Sequence, residues 1–449
     1  MLPAPFRHPA YRRYIAANFF GMNGSWMLRI AIAWLAWELT GSAAVTGVVS
    51  FLTFAPIVFS GPFFGVLADR IDPKRGIVAA QATQCLFGAI LFGLALADAL
   101  SAPVLMASAL GMGLAASAYH PFRMALMPRL VPQDVLGQAL AIGALNFNVT
   151  RMMGPALGGW LIHEYGAPGA VGVATLLFVP QVIAIASLGA YPPAQTEPDP
   201  KARHGVRGVL DQLAEGARYA MAQPMVREAV LMNALFAVAA RGSLELLPVA
   251  ADGLYGQGAG GFGVLTATAG AGAVLTAVYM ARGGRSAESL RNRARFATAL
   301  GLLGTALLGL VGSWPAAIAT VALIGACGTM VGVANQTIAQ LSTPEGKRGR
   351  VMSLWLISGI GGASIGSIGI GTLADLVGLQ HALVITAIAM AALAPFVAWN
   401  IRTRGAPEAE PSAPTPPRAS CGVGGGGGAT PPTPGAVKRC ANAPSRARR

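Results

Sequence analysis

The chain has 449 residues, of which 54% are hydrophobic and only 11% charged, and its mean hydropathy is +0.56. A soluble domain carries about 25% charged residues, so this composition excludes a water-soluble enzyme or regulator and points to a protein that lives in lipid. The net charge of +14 would suit a nucleic-acid binder, but the bases are scattered over short loops and form no basic domain, so no nucleic-acid partner is expected.

A hydrocarbon core about 30 Å thick needs about 20 apolar residues per helix. Twelve runs of that kind follow one another: 14–38, 45–68, 76–98, 103–126, 137–162, 169–191, 226–250, 261–281, 294–312, 315–340, 350–373 and 380–401. They lack the period-two alternation of barrel strands, so the predicted fold is an all-α membrane protein of twelve transmembrane helices. The first run has no cleavage site of small residues and is too long for a signal peptide, so it is expected to remain as a helix. The loops at 39–44, 99–102, 163–168, 251–260, 313–314 and 374–379 contain no Lys or Arg. The opposite loops collect Arg7, Arg12, Arg13, Arg70, Lys74, Arg75, Arg129, the cluster from Arg282 to Arg295, Lys347, Arg348 and Arg350. The positive-inside rule then places both termini in the cytoplasm.

A polar stretch at 192–225, opening YPPAQTEPDPKARHG and continuing into an amphipathic helix near 208–221, divides the chain. It separates a six-helix half at 1–191 from a second at 226–402. VPQDVLGQALA (131–141) aligns with TPEGKRGRVMS (343–353), and Gly154 and Gly159 with Gly366 and Gly371. The halves are therefore predicted to be pseudo-symmetric, with a site at their interface near the midplane. Residues 403–449 are rich in Pro, Gly and bases and are expected to form a disordered cytoplasmic tail. Cys85 and Cys327 lie in apolar runs and Cys421 and Cys440 in the tail. Neither a disulfide framework nor a metal-ligand spacing is present, and no cofactor is expected.

Residues 61–76, GPFFGVLADRIDPKRG, place acids and bases at the shared end of two apolar runs. Gly65, Leu67, Ala68, Asp69, Arg70, Lys74 and Arg75 resemble the loop between helices 2 and 3 of the major facilitator superfamily, G-x-L-a-D-r-x-G-r-r. The Asp72–Pro73 departure is similar to the branch of bacterial enterobactin-type and macrolide exporters, as are WELTGSAAVTG (37–47), YHPFRMALMPRLVP (119–132), NVTRMMGPALGG (148–159), EGARYAMAQP (215–224), LLPVAAD (246–252) and GKRGRVMSL (346–354). The resemblance covers 7–402 and implies a multi-pass protein of the bacterial inner membrane. It also implies a conformational latch of Gly65, Asp69, Arg70, Lys74 and Arg75, in which Asp69 accepts from the N–H groups at the start of helix 11 near Gly349. The plainer reading is a charged turn that enforces topology, which explains the bases but gives no reason for Asp69. On helix 5, Gly154, Pro155, Gly158 and Gly159, with Arg151 one turn earlier, resemble the GPxxGG signature of drug/proton antiporters. Close packing and a kink are expected there; ordinary small-residue packing is the bland alternative.

Charges inside membrane helices cost several kcal/mol, so each one is a functional pointer. The basic ones are Arg29, Arg151 and Arg241; the acidic ones are Glu38 and Glu245. Glu245 lies one turn beyond Arg241 and is expected to pair with it. A carboxylate alternating between an Arg and a proton would couple proton flux to opening, which makes Glu245, then Glu38, the candidates for proton coupling; a permanent structural pair is the alternative. Asn23, Trp26, Arg29, Asn146, Arg241, Asn335 and Gln336 are the candidate substrate cavity, with Asn18, Asn233 and Gln340 beside them and Tyr119, His120 and Arg123 as a candidate entrance. For each amide an interhelical hydrogen bond is the competing role.

The expected function is secondary export of a hydrophobic or amphipathic small molecule, of drug or siderophore class, by alternating access with proton antiport. The basic interior favours an anionic or catechol-like solute. No GxxxxGK[ST] motif supplies ATP chemistry, and the one candidate carboxylate pair for a membrane enzyme, Asp69 and Asp72, sits among bases in the latch motif, so the chain is read as a monomeric carrier and not an enzyme. A lysophospholipid flippase and a transport-dead sensor signalling through its tail are the alternatives.

Overall fold

The computed structural model describes residues 3–191, 206–281 and 286–399. The predicted tail at 403–449 and the first part of the linker lie outside them. Pro9–Thr40 (α1), Ala43–Arg70 (α2), Pro73–Leu96 (α3), Ala102–Leu126 (α4), Gln133–Leu176 (α5) and Phe178–Ala186 (α6) form the first half. Val206–Ala222 (α7) belongs to the linker. The seventh span is broken into Pro224–Phe236 (α8), a π-helical turn Ala237–Arg241, Gly242–Glu245 (α9), Leu247–Val249 (α10) and a second π turn Ala250–Leu254. Gly258–Ala281 (α11), Ala287–Leu310 (α12), Trp314–Leu341 (α13), Glu345–Val377 (α14) and Leu379–Trp399 (α15) complete the second half.

Among the described residues, eight helical stretches are long and apolar enough to cross a bilayer. A ninth is added when Pro224–Glu245 and Leu247–Leu254, bent by 50°, are taken as one broken span. One of the eight, Gln133–Ala186, has 54 residues and holds two spans. α1 and α12 have the length but carry charges: Arg12, Arg13, Arg29 and Glu38 on one, Glu288, Arg291, Arg293 and Arg295 on the other. With these the structure reaches the twelve spans of the predicted all-α fold.

Local chemistry fixes the short turns. Gly41, at φ 58°, ends α1, and Ser42 caps α2 by accepting from the Val45 N–H at 3.2 Å. Asp72 accepts from the Lys74 N–H at 2.9 Å, and Pro73 occupies the first helical position of α3. The Asp–Pro departure from the family pattern is therefore a helix start. Pro155 leaves the dihedrals of α5 helical. The break falls instead at Gly166, at φ 71°, which separates the fifth and sixth spans. Gly166 lies in the turn expected at 163–168.

Consecutive spans run in opposite directions, so the loops gather at two ends of the bundle. The basic end holds Arg70, Lys74, Lys347 and Arg348; the far end holds the turns at Gly41, Asp98, Gly166, Gly256 and Gly378. Within the halves α1 packs on α5, α2 on α4, α11 on α13 and α12 on α13; between them α2 meets α14 and α5 meets α11. These two inter-half seams frame the central region where the interior charges lie.

Candidate functional site: an arginine-lined interface between the halves

The inter-half seams are close at the far end because small residues meet there. A Cβ on Gly159 of α5 would come within 2.2 Å of the Gly263 Cα on α11, and one on Gly371 of α14 within 2.4 Å of the Ala43 carbonyl oxygen on α2. The Ser367 hydroxyl donates to the Gly47 carbonyl at 3.1 Å, and the Trp34 ring stacks on Phe262 at 6.2 Å. Two acids finish the closure. Asp252 accepts from the Trp37 indole N–H at 2.8 Å. Asp375, at the end of α14, accepts from the Ser42 hydroxyl at 2.5 Å and from the Ala43 and Ala44 N–H groups at 2.8 and 3.2 Å. It thereby occupies donors that the first turn of α2 cannot satisfy internally.

At the basic end the same two helices stand differently. A Cβ on Gly65 of α2 or on Gly349 of α14 would meet nothing within 4 Å. Of the expected latch, Lys74 donates to the Leu188 carbonyl at 2.8 Å and so holds the end of its own half. Arg70 and Arg75 are exposed, and the Asp69 side chain lies outside the described residues.

Near mid-depth Arg29 and Glu245 join the halves. The terminal Nη2 of Arg29 lies 2.6 and 2.7 Å from the two carboxylate oxygens, with the guanidinium 4.0 Å from the centre of the Phe54 ring and 5.3 Å from that of Trp26. This corrects the pairing of Glu245 with Arg241 expected from their spacing. The π turn Ala237–Arg241 inserts an extra residue into the seventh span and resets the helix phase from there on, and the two side chains then part, Glu245 reaching Arg29 across the interface while Arg241 stays in its own half. Arg241 points towards α13 and α14, 3.4 Å from the Gly328 carbonyl oxygen and 6.0 Å from the Phe236 ring. Its slot exists because Gly332 and Gly359 lack side chains, since a Cβ there would lie 3.1 and 3.0 Å from the guanidinium. Arg151 lies within electrostatic reach of both Arg29 and Arg241. Among the described residues neither Arg151 nor Arg241 has a carboxylate partner. Three cations are therefore set against one anion in a low-dielectric interior, an arrangement suited to receiving an anion.

The remaining candidates divide between this region and the scaffold. Trp26 lies edge-on to Phe147 at 6.2 Å and covers Gly154; a Cβ on Gly158 would sit 3.3 Å from the Met27 Cα. The helix 5 glycines and Pro155 thus seat α1 on α5. Asn23 donates to the Phe19 carbonyl of its own helix at 2.9 Å, while its side-chain oxygen has no partner among the described residues. Asn335 is buried with its amide nitrogen unpartnered there, Asn146 contacts the Met22 sulfur at 4.0 Å, and Gln336 is half-buried. Asn233 donates to the Ser358 hydroxyl at 2.9 Å and to the Trp355 carbonyl at 3.2 Å, and its side-chain oxygen has no partner among the described residues. Tyr119 donates to Asn18 and accepts from Gln181 within the first half, and so ties spans together there. Glu38 is exposed near the far end, away from the arginines. Sequence reasoning missed Phe54, Asp252 and Asp375. Asp375 had a signal, because GTLAD at 371–375 repeats the pattern of GVLAD at 65–69.

Twelve helices in two halves with charged groups at their shared interface define a transporter of the major facilitator type. Residues 2–420 match the transmembrane secretion effector family of that superfamily, and the chain belongs to it. It is 30% identical over 371 residues to the enterobactin exporter EntS of Escherichia coli O1:K1 / APEC, covering 82% of this chain and 85% of the relative, and equally to that of Shigella boydii serotype 4 (strain Sb227). Solved structures share the fold. A bacterial homologue of the human lysosomal transporter Spinster, in an inward-facing and unoccupied conformation, superposes with a TM-score of 0.68 at 15% identity, covering 89% of this chain and 99% of the other. The nucleoside transporter NupG gives 0.65 at 13% identity, covering 88% of this chain and 100% of the other.

Proposed function

We propose that this multi-pass protein of the bacterial inner membrane exports an anionic amphipathic molecule of siderophore class by alternating access, in exchange for protons. The observation that carries the reading is the Arg29–Arg151–Arg241 cluster with Glu245 as its single countercharge among the described residues. With both termini cytoplasmic, the closed far end faces outward and the basic end inward, the state that would accept solute from the cytoplasm. The 30% identical enterobactin exporters support a catechol-like anion, which arginines bind through paired N–H donors while Trp26, Phe54 and Phe147 offer ring faces.

The cycle follows from the Arg29–Glu245 pair. A substrate anion competes for Arg29 and releases Glu245, and a carboxylate losing its cation in a dehydrated interior takes a proton. Parting of the halves at the far end then costs no buried unpaired charge. Asp375 is released from the start of α2, and Asp69 takes the corresponding position on the start of α14 to close the basic end.

The test is efflux of a catecholate siderophore from proteoliposomes under an imposed pH gradient. The expected result is gradient-driven flux in the wild type that Glu245→Gln uncouples, with binding retained, and that Arg241→Gln weakens through affinity. Full gradient-driven flux in Glu245→Gln would refute its coupling role, and equal transport of a cationic dye would refute the anion reading.

A further inference from the structure

A groove of about 460 Å³ opens on the membrane face between α12 and α15, away from the arginine cluster, with Met232 of α8 and Leu302 at its floor. Its walls are made by small residues: Ala299 and Ala306 on α12, and Ala387, Ala391 and Ala394 on α15. Arg295 lies at one end. From Arg295 to Ala306 the helix rises about 16 Å, close to the roughly 15 Å that is half the hydrocarbon core. The groove thus runs through one leaflet, with its polar end towards the basic end of the bundle, where α12 begins.

Two polar groups in the groove wall keep donors without a protein partner among the described residues. The Thr305, Thr320, Thr337 and Thr372 hydroxyls each donate to the carbonyl four residues earlier. Thr298, 1% exposed, makes no such bond, and its hydroxyl is unpartnered among the described residues. Arg295 gives its Nε to Glu228, which is 3% exposed, and among the described residues its two terminal amino groups have no protein partner. Arg295 and Thr298 are three residues apart and share a helix face. Together they present guanidinium and hydroxyl donors at headgroup depth, above an apolar trough one acyl chain long.

We propose that this groove is a binding site for a glycerophospholipid of the leaflet at the basic end. Its phosphodiester accepts hydrogen bonds from Arg295 and Thr298, and one acyl chain lies along the alanine walls. The bound lipid is a resident of the second half and not the transported solute, because the groove does not reach the inter-half interface. Glu228 keeps the guanidinium oriented with its terminal N–H groups free, so the contact is made to the phosphate and does not depend on the headgroup beyond it.

Native mass spectrometry of the full-length protein in detergent, titrated with phosphatidylglycerol or with diacylglycerol of the same chains, tests this. The wild type should retain one phosphatidylglycerol about tenfold more tightly than diacylglycerol, the difference of a charge-assisted hydrogen-bond pair. Thr298→Val, nearly equal in volume, should weaken phosphatidylglycerol several-fold and leave diacylglycerol unchanged, and Ala391→Trp should remove retention of both by filling the trough. Equal retention of the two lipids by the wild type, or unchanged phosphatidylglycerol retention in a folded Thr298→Val protein, would overturn the proposal and leave an ordinary annular lipid. Should Ala391→Trp fail to fold, the Thr298→Val comparison decides alone.

Discussion

Removing Asp375 is the sharpest perturbation of the far-end closure, because one side chain there answers three donors of a helix start: the Ser42 hydroxyl and the Ala43 and Ala44 N–H groups. Loss of a helix N-terminal cap costs about 1 kcal/mol, within about 0.5–2. Asp375 is exposed, so water recovers part of the loss and the middle of that range is the appropriate figure. Asp375→Ala should therefore shift the equilibrium about fivefold away from the state closed at the far end. α2 has 28 residues, about 42 Å of rise, so Asp69 at its other end is too distant to couple directly. Asp69→Ala should move the equilibrium the opposite way by a similar amount, and the double variant should return near the wild-type distribution. Electron–electron distance measurement between nitroxides at Gln133 and Glu345, both exposed at the basic end, in a background lacking Cys85, Cys327, Cys421 and Cys440, reads this population directly. An Asp375→Ala distribution identical to wild type would refute the capping argument. A shift in the same direction as Asp69→Ala would refute the assignment of the two caps to opposite states.

Three further outcomes are expected. Glu245→Gln replaces a charge-assisted contact of about 1.5–3 kcal/mol, so the same distance distribution should move towards the far-end-open state by about tenfold or more; movement smaller than that of Asp375→Ala would count against Arg29–Glu245 as the stronger inter-half tie. Arg151→Gln and Arg241→Gln each remove a cation that has no carboxylate to leave behind, so both should fold and both should weaken an anionic ligand in equilibrium binding, and unchanged affinity in both would remove them from the site. Gly159→Val places a branched side chain where even a Cβ would lie 2.2 Å from the Gly263 Cα; overpacking of about 1–3 kcal/mol should prop the far end open and abolish vectorial transport, and wild-type flux would show that this seam need not close.

The class of fold was legible because it rests on terms that sum over many residues: hydropathy over twelve runs and the placement of Lys and Arg over many loops. The interior charges of the candidate site were legible in identity but not in pairing. Arg29, Arg151, Arg241 and Glu245 could be named because a charge in lipid is conspicuous one residue at a time. Their partners depend on helix phase, and the π turn Ala237–Arg241 changes that phase without any residue that announces it; a Pro two residues on from Leu246, where the backbone leaves helical values, was the only hint that the seventh span is irregular. Pro155 keeps helical dihedrals, while Gly166 takes the positive φ that ends the fifth span. Asp375 shows a third kind of loss. GVLAD and GTLAD stand at the ends of two antiparallel neighbours, so the five-residue pattern that opens the candidate latch on α2 sits at the opposite face of the bundle on α14. Asp375 caps the start of α2 in the state closed at the far end, and the proposed cycle gives Asp69 the matching task on the start of α14 in the other state. A carrier that closes alternately at both ends needs two closures similar in energy, and two Asp residues acting on two helix starts would meet that requirement.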